Sequence, residues 1–167
     1  MTLTKDHVLP DVLAPNLKVV FCGSAVGRRS AQLKLSYAGP GNKFWPSLYK
    51  AGFTPTQWGP TDFLRLPEIG YGLTDLNKTE FGADTDLSKA RDDPAALRRK
   101  MLKYQPRVLA FTAKRPAQSF LGHPVAYGWQ EEAIGATRLY VLTSPSGRAG
   151  AFWDLEPWRA LAAAVSS

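Results

Sequence analysis

Six side chains with distinct chemistry follow three short apolar runs in this sequence. An aromatic ring can stack on a flat heterocycle, an amide can read its edge, and a guanidinium can hold a phosphate. A carboxylate can stabilise a developing positive charge or hold a water molecule. Such a set suits a flat polar ring attached to a phosphate chain. The six residues are Tyr37, Asn42, Asp75, Ser144, Ser146 and Arg148.

Three apolar runs predict short buried strands, at residues 17–22, 107–112 and 138–143. Helical patterns separate these runs, which is typical of a parallel sheet with helices on both faces. The carboxyl ends of parallel strands meet at one edge of the sheet, where ligands bind in such folds. The predicted fold class is α/β, a single-domain three-layer α/β/α sandwich with a short, mainly parallel central sheet.

Three loops that follow predicted strands are expected to converge at this edge. They span residues 23–43, 74–80 and 143–150. The alternation of Ile69, Tyr71 and Leu73 indicates the strand before the second loop. In the first loop, the small residues between Gly23 and Gly27 would let a flat ligand approach the backbone closely.

Five helices are predicted from apolar spacing and from start and stop signals. Thr61 is expected to be the N-cap of the second helix and Asp93 the N-cap of the third. Residues 79–88 are predicted to form an exposed loop that contains Asp84 and Asp86 as solvated charges. The helices are expected at residues 44–52, 61–66, 94–104, 115–121 and 156–165.

The chain of 167 residues has the length of one domain, and its 44% apolar fraction predicts a folded core. Residues 1–16 carry two prolines without a clear period, so we expect an irregular lead-in before a single domain at residues 17–167. No apolar run approaches the roughly 18 residues of a membrane span. The N-terminus lacks the apolar core of a signal peptide. We therefore expect a cytoplasmic monomer without membrane contact.

Metal-ligating residues are scarce in this sequence. Cys22 is the single cysteine, which excludes an intrachain disulfide and a cluster held by four cysteines. The two histidines, His7 and His123, are far apart and show no ligand spacing. We expect no metal site, and we interpret His123 as a solvated loop residue rather than a catalytic base.

The net charge of +7 suggests a polyanionic partner. Basic residues crowd the first loop, and one more lies in the last loop. Because a basic surface also serves solubility, the distribution of these residues is more informative than their number. The residues concerned are Arg28, Arg29, Lys34, Lys43 and Arg148.

Two stretches of the sequence carry specific motifs. The first runs from Val20-Phe21-Cys22-Gly23 through Tyr37-Ala38-Gly39-Pro40-Gly41-Asn42-Lys43-Phe44-Trp45, and the second is Ser144-Pro145-Ser146-Gly147-Arg148. Between them lies Tyr71-Gly72-Leu73-Thr74-Asp75-Leu76. In these motifs and their spacing the chain resembles the mismatch-specific uracil-DNA glycosylases, the group that also contains thymine-DNA glycosylase.

The resemblance implies a DNA-repair enzyme of the uracil-DNA glycosylase superfamily. Such an enzyme flips a damaged base out of DNA and hydrolyses its N-glycosidic bond, which leaves an abasic site. The resemblance implies activity without a metal or an organic cofactor. The expected partner is uracil-containing DNA, double-stranded and also single-stranded, because a single strand removes the cost of flipping.

The resemblance also implies roles for individual residues. Tyr37 corresponds to the aromatic residue that stacks on the flipped base, and the loop Gly23–Gly27, with Ser24 and Ala25, forms the pocket wall and helps to position water. Ser146 and Gly147 lie where the family grips the phosphate backbone. Arg148 lies where the family inserts a wedge side chain. The remaining site candidates are Asn42 and Ser144 for the base and Arg28 and Lys43 for DNA.

The first loop departs from the family pattern. Relatives usually carry an Asn that orients the attacking water, and here Ala25 takes its place, with Val26 in place of the following Pro. In the last loop, Ser144 replaces the common Asn. Asp75 is the candidate substitute for the missing amide, because a carboxylate can stabilise a cation-like sugar and hold water. Asn77 is the second candidate.

Each assignment has a structural alternative. Asp75 could cap the turn after its strand, and Asn42 could cap the helix that begins at Phe44. Tyr37 could be a core residue, and Arg148 could be a plain surface cation. At the level of function, the alternative to a glycosylase is a non-catalytic binder of damaged or abasic DNA. A nucleotide hydrolase ranks lowest, because the first loop lacks the Gly-Lys-Ser/Thr arrangement.

Overall fold

The computed structural model describes residues 7–82 and 91–166. In the described residues, five strands form one sheet in the order β2-β1-β3-β5-β4. Neighbouring strands among the first four in this order are parallel, and β4 runs antiparallel to β5. The strands are Val19–Gly23 (β1), Tyr71–Asp75 (β2), Val108–Phe111 (β3), Gly128–Ile134 (β4) and Thr137–Val141 (β5).

Helices cover both faces of this sheet, which confirms the predicted α/β class. Five α-helices and two 3-10 helices are present in the described residues. Residues of α2 and α5 join one core cluster, and residues of α3 and α4 join the other. The α-helices are Arg28–Leu33 (α1), Phe44–Ala51 (α2), Pro94–Tyr104 (α3), Lys114–Leu121 (α4) and Glu156–Val165 (α5), and the 3-10 helices are Pro60–Ile69 and Gly147–Phe152.

The strands are apolar on both sides because both sides are covered. Along β1, Val19 and Phe21 belong to the α2–α5 core, whereas Val20 and Cys22 belong to the α3–α4 core. Because side chains alternate between the faces of a strand, a continuous apolar run fills both cores at once. All five residues of β1 are buried. This pattern agrees with the interior position of β1, which lies between β2 and β3.

Two helix N-termini show how local chemistry sets the start of a helix. Asp93 caps α3, because its Oδ1 accepts a hydrogen bond from the backbone N–H of Ala96 at 3.0 Å. The prediction for the second helix was wrong in its bounds and its N-cap: Pro60–Ile69 is a 3-10 helix whose N-cap is Gly59 rather than Thr61. Its N-terminal turn closes because Gly59 N–H donates to Asp62 Oδ2 at 2.9 Å.

Three details of the sequence prediction are corrected by the structure. Residue 69 ends the 3-10 helix, so the strand predicted from Ile69 begins only at Tyr71. Helix α1 lies inside the predicted first loop, and β4 was not predicted at all. β4 lies at the edge of the sheet with most of its residues partly or fully exposed, so its sequence has no apolar run to signal a strand.

The segment before β1 packs on the free edge of β2. The backbone of Val12 exchanges two hydrogen bonds of 2.8 Å with Leu73. This approach depends on Gly72, where an added Cβ would lie 2.4 Å from the Val12 carbonyl oxygen and 2.7 Å from Leu17 Cδ1. Residues 8–12, which we call the N-terminal strap, therefore close an edge that would otherwise expose unpaired backbone groups.

Two further observations concern the remaining segments. Among the described residues, no helix is both long and apolar enough to cross a membrane. The predicted exposed loop at residues 79–88 is described only as far as residue 82, so Asp84 and Asp86 lie outside the described residues.

Candidate active site

The carboxyl ends of β1, β2, β3 and β5 open into one cavity of about 960 Å³. The three predicted loops all contribute to its lining, and the residues predicted for the site, apart from the second candidate Asn77, lie on it. Tyr37 from the first loop and Arg148 from the last therefore lie at the same cavity. The predicted residues on the lining are Gly23, Ser24, Ala25, Arg28, Tyr37, Asn42, Lys43, Asp75, Ser144, Ser146, Gly147 and Arg148.

Gly23 ends β1 at the floor of the cavity. A Cβ added there would lie 3.0 Å from Asp75 Oδ1, 3.3 Å from Tyr37 Oη and 3.5 Å from Thr112 Oγ1. Three polar side chains from three different segments thus converge on the space that the missing side chain leaves. The glycine is needed here for close approach and not for an unusual backbone angle.

Tyr37 packs on the core and lines the cavity at the same time. Its ring stacks on Phe44 with centroids 3.8 Å apart and planes within 9°. Its backbone has φ of 54°, a left-handed conformation that a bulky residue rarely adopts. Burial, with a smaller contribution from the Asp75 carboxylate, raises the pKa of the Tyr37 phenol, so the hydroxyl keeps its proton. The residue offers the cavity an aromatic ring and a hydroxyl that lies 3.4 Å from Thr112 Oγ1.

Asn42 caps the start of α2. Its Oδ1 accepts a hydrogen bond from the backbone N–H of Phe44 at 2.9 Å. The capping alternative is therefore present in the structure, although Asn42 also lines the cavity. This hydrogen bond uses one lone pair of the amide oxygen, so the amide N–H groups and the second lone pair remain to contact a ligand.

Asp75 is the last residue of β2, and its side chain is 16% exposed. Burial raises the pKa of the Asp75 carboxyl, and the ammonium of Lys78 partly opposes that effect. Oδ2 lies 3.6 Å from Lys78 Nζ. A carboxylate that is buried, paired with one cation and open to a cavity has the properties of a catalytic acid or base.

Asn77 does not share this position. It is fully buried and does not line the cavity. Its Oδ1 accepts from the backbone N–H groups of Thr79 and Glu80, and its Nδ2 donates to Glu80 Oε1. Both ends of the amide thus hold the turn after β2, which leaves Asp75 as the polar side chain of this segment that reaches the cavity.

The first loop continues β1 alongside the segment that follows β2. Leu76 N–H donates to Gly23 O at 2.9 Å, and Asn77 N–H donates to Ser24 O at 2.7 Å. The loop is therefore fixed to the same segment that carries Asp75. Ala25 brings no polar side chain to the cavity, so the hydroxyl of Ser24 is the only side-chain polar group at these two positions.

The last loop is joined to the first by main-chain contacts. Lys43 N–H donates to Pro145 O at 2.7 Å. A Cβ added at Gly147 would lie 3.0 Å from Pro40 O, so this glycine allows the two loops to touch. Within the last loop, Ser144 Oγ accepts from Ser146 N–H at 3.3 Å, and Ser146 Oγ accepts from Arg148 N–H at 3.2 Å.

Comparison with known proteins agrees with this geometry. A model of the uracil DNA glycosylase superfamily matches residues 10–162. The chain belongs to this superfamily.

The fold is also that of a solved structure. A protein from Methanosarcina acetivorans, provisionally named a uracil DNA glycosylase, has a solution NMR structure that matches with a TM-score of 0.66 and 22% sequence identity. The match covers 95% of this chain and 97% of that one. At this identity the likeness shows a shared fold, and it confirms the predicted fold class.

The rim of the cavity in the present protein is strongly basic. Asp75 is the one acidic residue among the described lining residues, against five cations. The guanidinium of Arg28 lies 5.9 Å from the ring of Phe81, and Lys43 Nζ lies 5.9 Å from the ring of Trp153. Such a rim attracts a phosphate backbone. The five cations are Arg28, Arg29, Lys43, Arg115 and Arg148.

Two cavity residues in the segment that runs from the end of β3 into α4 were missed in the prediction from sequence. Thr112 and Arg115 line the cavity, and Arg115 forms an ion pair with Asp92 at 3.3 Å. The sequence could have indicated both residues. The strand at residues 107–112 was predicted, and the rule that ligands bind at the carboxyl ends of parallel strands applies to the residues that follow it. No group of three or more potential metal-binding side chains occurs within residues 7–82 and 91–166.

A buried ion-pair cluster behind Asp75 was also missed. Lys78 Nζ lies 2.9 Å from Asp11 Oδ1, and Lys100 Nζ lies 2.6 Å from Asp11 Oδ2. Thr74 Oγ1 donates to Asp11 Oδ1 at 2.7 Å. The cluster joins the N-terminal strap, the end of β2 and α3. No local sequence signal shows that a lysine at position 78 would be buried.

Proposed function

We propose that the protein is a mismatch-specific uracil-DNA glycosylase that flips uracil, or a related deaminated base, out of DNA and hydrolyses the N-glycosidic bond. The product is an abasic site. One observation carries the proposal: the Asp75 carboxylate and the Tyr37 ring lie at one cavity whose rim is otherwise cationic. Superfamily membership supports a role as a DNA glycosylase.

Asp75 is the residue to which we assign the chemistry. Cleavage of an N-glycosidic bond develops positive charge on the sugar, which an adjacent carboxylate stabilises electrostatically. The same carboxylate can orient or deprotonate the attacking water. Because Ala25 has no side chain for this task, the burden falls on Asp75, with Ser24 as the nearest polar side chain of the first loop.

Tyr37 supplies the surface on which the extruded base rests. Phe44 packs against its ring, so the ring is held rigidly before the base arrives. Stacking on an aromatic side chain contributes about 1–3 kcal/mol per base. Flipping costs a few kcal/mol, least for a weakly paired base. Uracil opposite guanine is therefore a favourable substrate, and a single-stranded lesion avoids the cost.

Lys78 is not placed to act as an amine nucleophile, which supports a monofunctional enzyme. Its side chain is 8% exposed and does not line the cavity. Burial alone would lower the pKa of Lys78, but the carboxylates of Asp75 and Asp11 raise it above its usual value. A protonated, enclosed ammonium cannot attack the sugar. We expect base release without cleavage of the DNA strand.

The second candidate function is a non-catalytic binder of damaged or abasic DNA. The observation that favours it is Ala25, which stands where the resembled family carries a water-orienting Asn and brings no polar side chain to the cavity. A binder would use the same basic rim and the same stacking ring. It differs from the enzyme only in releasing no base.

One experiment separates these two functions. The protein is incubated with oligonucleotides that carry uracil, mismatched thymine, hypoxanthine or xanthine, each as a duplex and as a single strand, and the products are resolved before and after alkali. A glycosylase gives strand breaks only after alkali, together with free base. Tight, salt-sensitive binding without base release at stoichiometric protein would overturn the enzymatic proposal in favour of the binder.

A further inference from the structure

Behind the cavity wall, a lysine touches the proposed catalytic carboxylate from the side that substrate cannot reach. We propose that Lys78 is a positioning residue that keeps Asp75 ionised, and that Asp11 of the N-terminal strap holds Lys78 in place for this purpose. The inference rests on the proposed function, since it assigns a role in the same reaction. It extends the site to residues 11 and 100, outside the loops that line the cavity.

The geometry defines a chain of four alternating charges. Lys78 Nζ lies 3.6 Å from Asp75 Oδ2 and 2.9 Å from Asp11 Oδ1, and Lys100 Nζ lies 2.6 Å from Asp11 Oδ2. Two carboxylates and two ammonium groups therefore balance one another. Of these four groups, only Asp75 lines the cavity.

Lys78 acts in this chain as a buried point charge. Its Nζ lies at ion-pair distance from the carboxylates of both Asp11 and Asp75. An ammonium group suits such a role, since its effect depends on distance more than on direction. The favourable field of Lys78 at Asp75 is strong because both groups are largely removed from water.

Asp11 prevents Lys78 from turning elsewhere. The Asp11 carboxylate is itself fixed by Thr74 Oγ1 and by Lys100, so its position does not depend on Lys78 alone. Burial tends to raise the pKa of Asp11, but the two lysines lower it below its usual value. Asp11 is therefore ionised at neutral pH and anchors the ammonium next to Asp75.

Two other titratable groups face Asp75, and neither carries charge at neutral pH. Burial raises the pKa of the Cys22 thiol and of the Tyr37 phenol, and the Asp75 carboxylate adds to both effects. Burial is the largest influence on the pKa of Asp75 and raises it, Lys78 is the main group that opposes burial, Lys100 adds to Lys78, and the Asp11 carboxylate acts against both lysines. Without Lys78, the effect of burial would be opposed only by Lys100, and Asp75 would lose its proton at higher pH.

The test is the pH dependence of single-turnover base release by Lys78→Met and Lys78→Arg. If the reaction requires Asp75 to be ionised, the rate rises with pH around the pKa of Asp75 and levels off above it. In Lys78→Met we expect this acidic limb to move upward by about one pH unit or more, since a neighbouring cation lowers a carboxyl pKa by about 1–3 units. Because Lys78→Arg keeps the positive charge, its acidic limb should lie close to that of the wild type. Lys103→Met, on the exposed side of α3, is the matched control and should leave the limb in place.

The outcomes distinguish this inference from the proposed function. If the wild type releases no base, both fail. If the wild type releases base and Asp75→Asn abolishes release, but Lys78→Met keeps the wild-type acidic limb, the inference alone is overturned. A uniform loss of rate at every pH would show a merely structural role for Lys78, and it would also overturn the inference.

A second measurement covers the case in which Lys78→Met does not fold. In Asp11→Asn, Lys78 keeps its charge but loses its anchor, and the carbon-13 signal of the Asp75 carboxyl reports the titration directly. Loss of the Asp11 charge by itself would lower the Asp75 midpoint, whereas loss of the Lys78 anchor raises it. We therefore expect the Asp75 midpoint to move upward in Asp11→Asn and to stay unchanged in Lys103→Met. An Asp75 midpoint that falls or stays the same in Asp11→Asn would overturn the role given to the strap.

Discussion

The cavity has a buried wall and an exposed rim, and their charged residues are arranged in opposite ways. At the wall, Asp75 is enclosed and paired with Lys78, which is paired in turn with Asp11. At the rim, Arg148 is exposed, and its backbone N–H donates a hydrogen bond to Ser146 Oγ. A wall charge works on the reacting atoms in a medium of low polarity, whereas a rim charge works on phosphates through salt-dependent attraction.

This difference between wall and rim predicts which measured quantity each region should affect. Wall substitutions should change the rate of the chemical step, with little effect on affinity for DNA. Rim substitutions should change affinity and its dependence on salt, with little effect on the rate at saturation. Four substitutions sharpen this comparison or break it.

The largest expected effect is at the wall itself. Asp75→Asn keeps the shape of the side chain but removes its charge, so single-turnover base release should fall about a hundredfold. DNA affinity in a gel shift should remain close to that of the wild type. The matched control is Glu68→Gln, which removes a 64%-exposed carboxylate outside the cavity and should not change the rate. A fall of less than about tenfold would contradict the role of Asp75.

The next effect is on the stacking surface. Tyr37→Ala removes the ring, so base release should fall by the equivalent of about 1–3 kcal/mol. Tyr37→Phe keeps the ring and its contact with Phe44, and it should retain most of the rate. The measurement is the single-turnover rate at saturating protein, and thermal melting checks that each variant is folded. Equal loss in both variants would assign the effect to the hydroxyl rather than to stacking.

A smaller effect is expected where the strap crosses the sheet. Gly72→Ala places a Cβ against the Val12 carbonyl oxygen and should destabilise the protein by about 1–3 kcal/mol in urea unfolding. Gly59→Ala is the control, since nothing lies within 4 Å of a Cβ there. Identical unfolding midpoints for the two variants would show that the strap does not press on β2.

The smallest effect is expected at the rim. Arg148→Gln should weaken binding to duplex DNA only a few-fold, and the slope of log affinity against log salt should become shallower by about one. The rate at saturating protein should not change. Arg159→Gln, on α5 and away from the cavity lining, should preserve the slope. A large fall in rate with an unaltered slope would place Arg148 in the chemical step and break the comparison.

The wall and the rim also differ in how far they could be predicted from sequence. The three predicted loops each follow a predicted strand, so the rule for parallel strands places Tyr37, Asp75 and Arg148 at one edge. Asp11 and Lys78 are different. Their meeting depends on the strap crossing β2, a contact between distant parts of the chain that leaves no periodic pattern in the sequence.

The secondary structure shows the same contrast. Strands β1, β3 and β5 are buried on both faces and therefore appear as apolar runs. Strand β4 is paired on one side only and has a mostly exposed, polar sequence. It is therefore a strand because it pairs with β5, and its composition does not reveal this. The 3-10 helix at Pro60–Ile69 had the composition of an α-helix start but contains Pro67 in its interior.

The main-chain bond from Lys43 to Pro145 has a mechanical consequence. Because this bond joins the first and last loops, the two loops have little freedom to move apart around a duplex. We therefore expect the double helix, rather than the protein, to bend and unstack during the encounter. Lesions next to easily kinked pyrimidine–purine steps should then be reached at a lower cost than the same lesions inside stiff A-tracts.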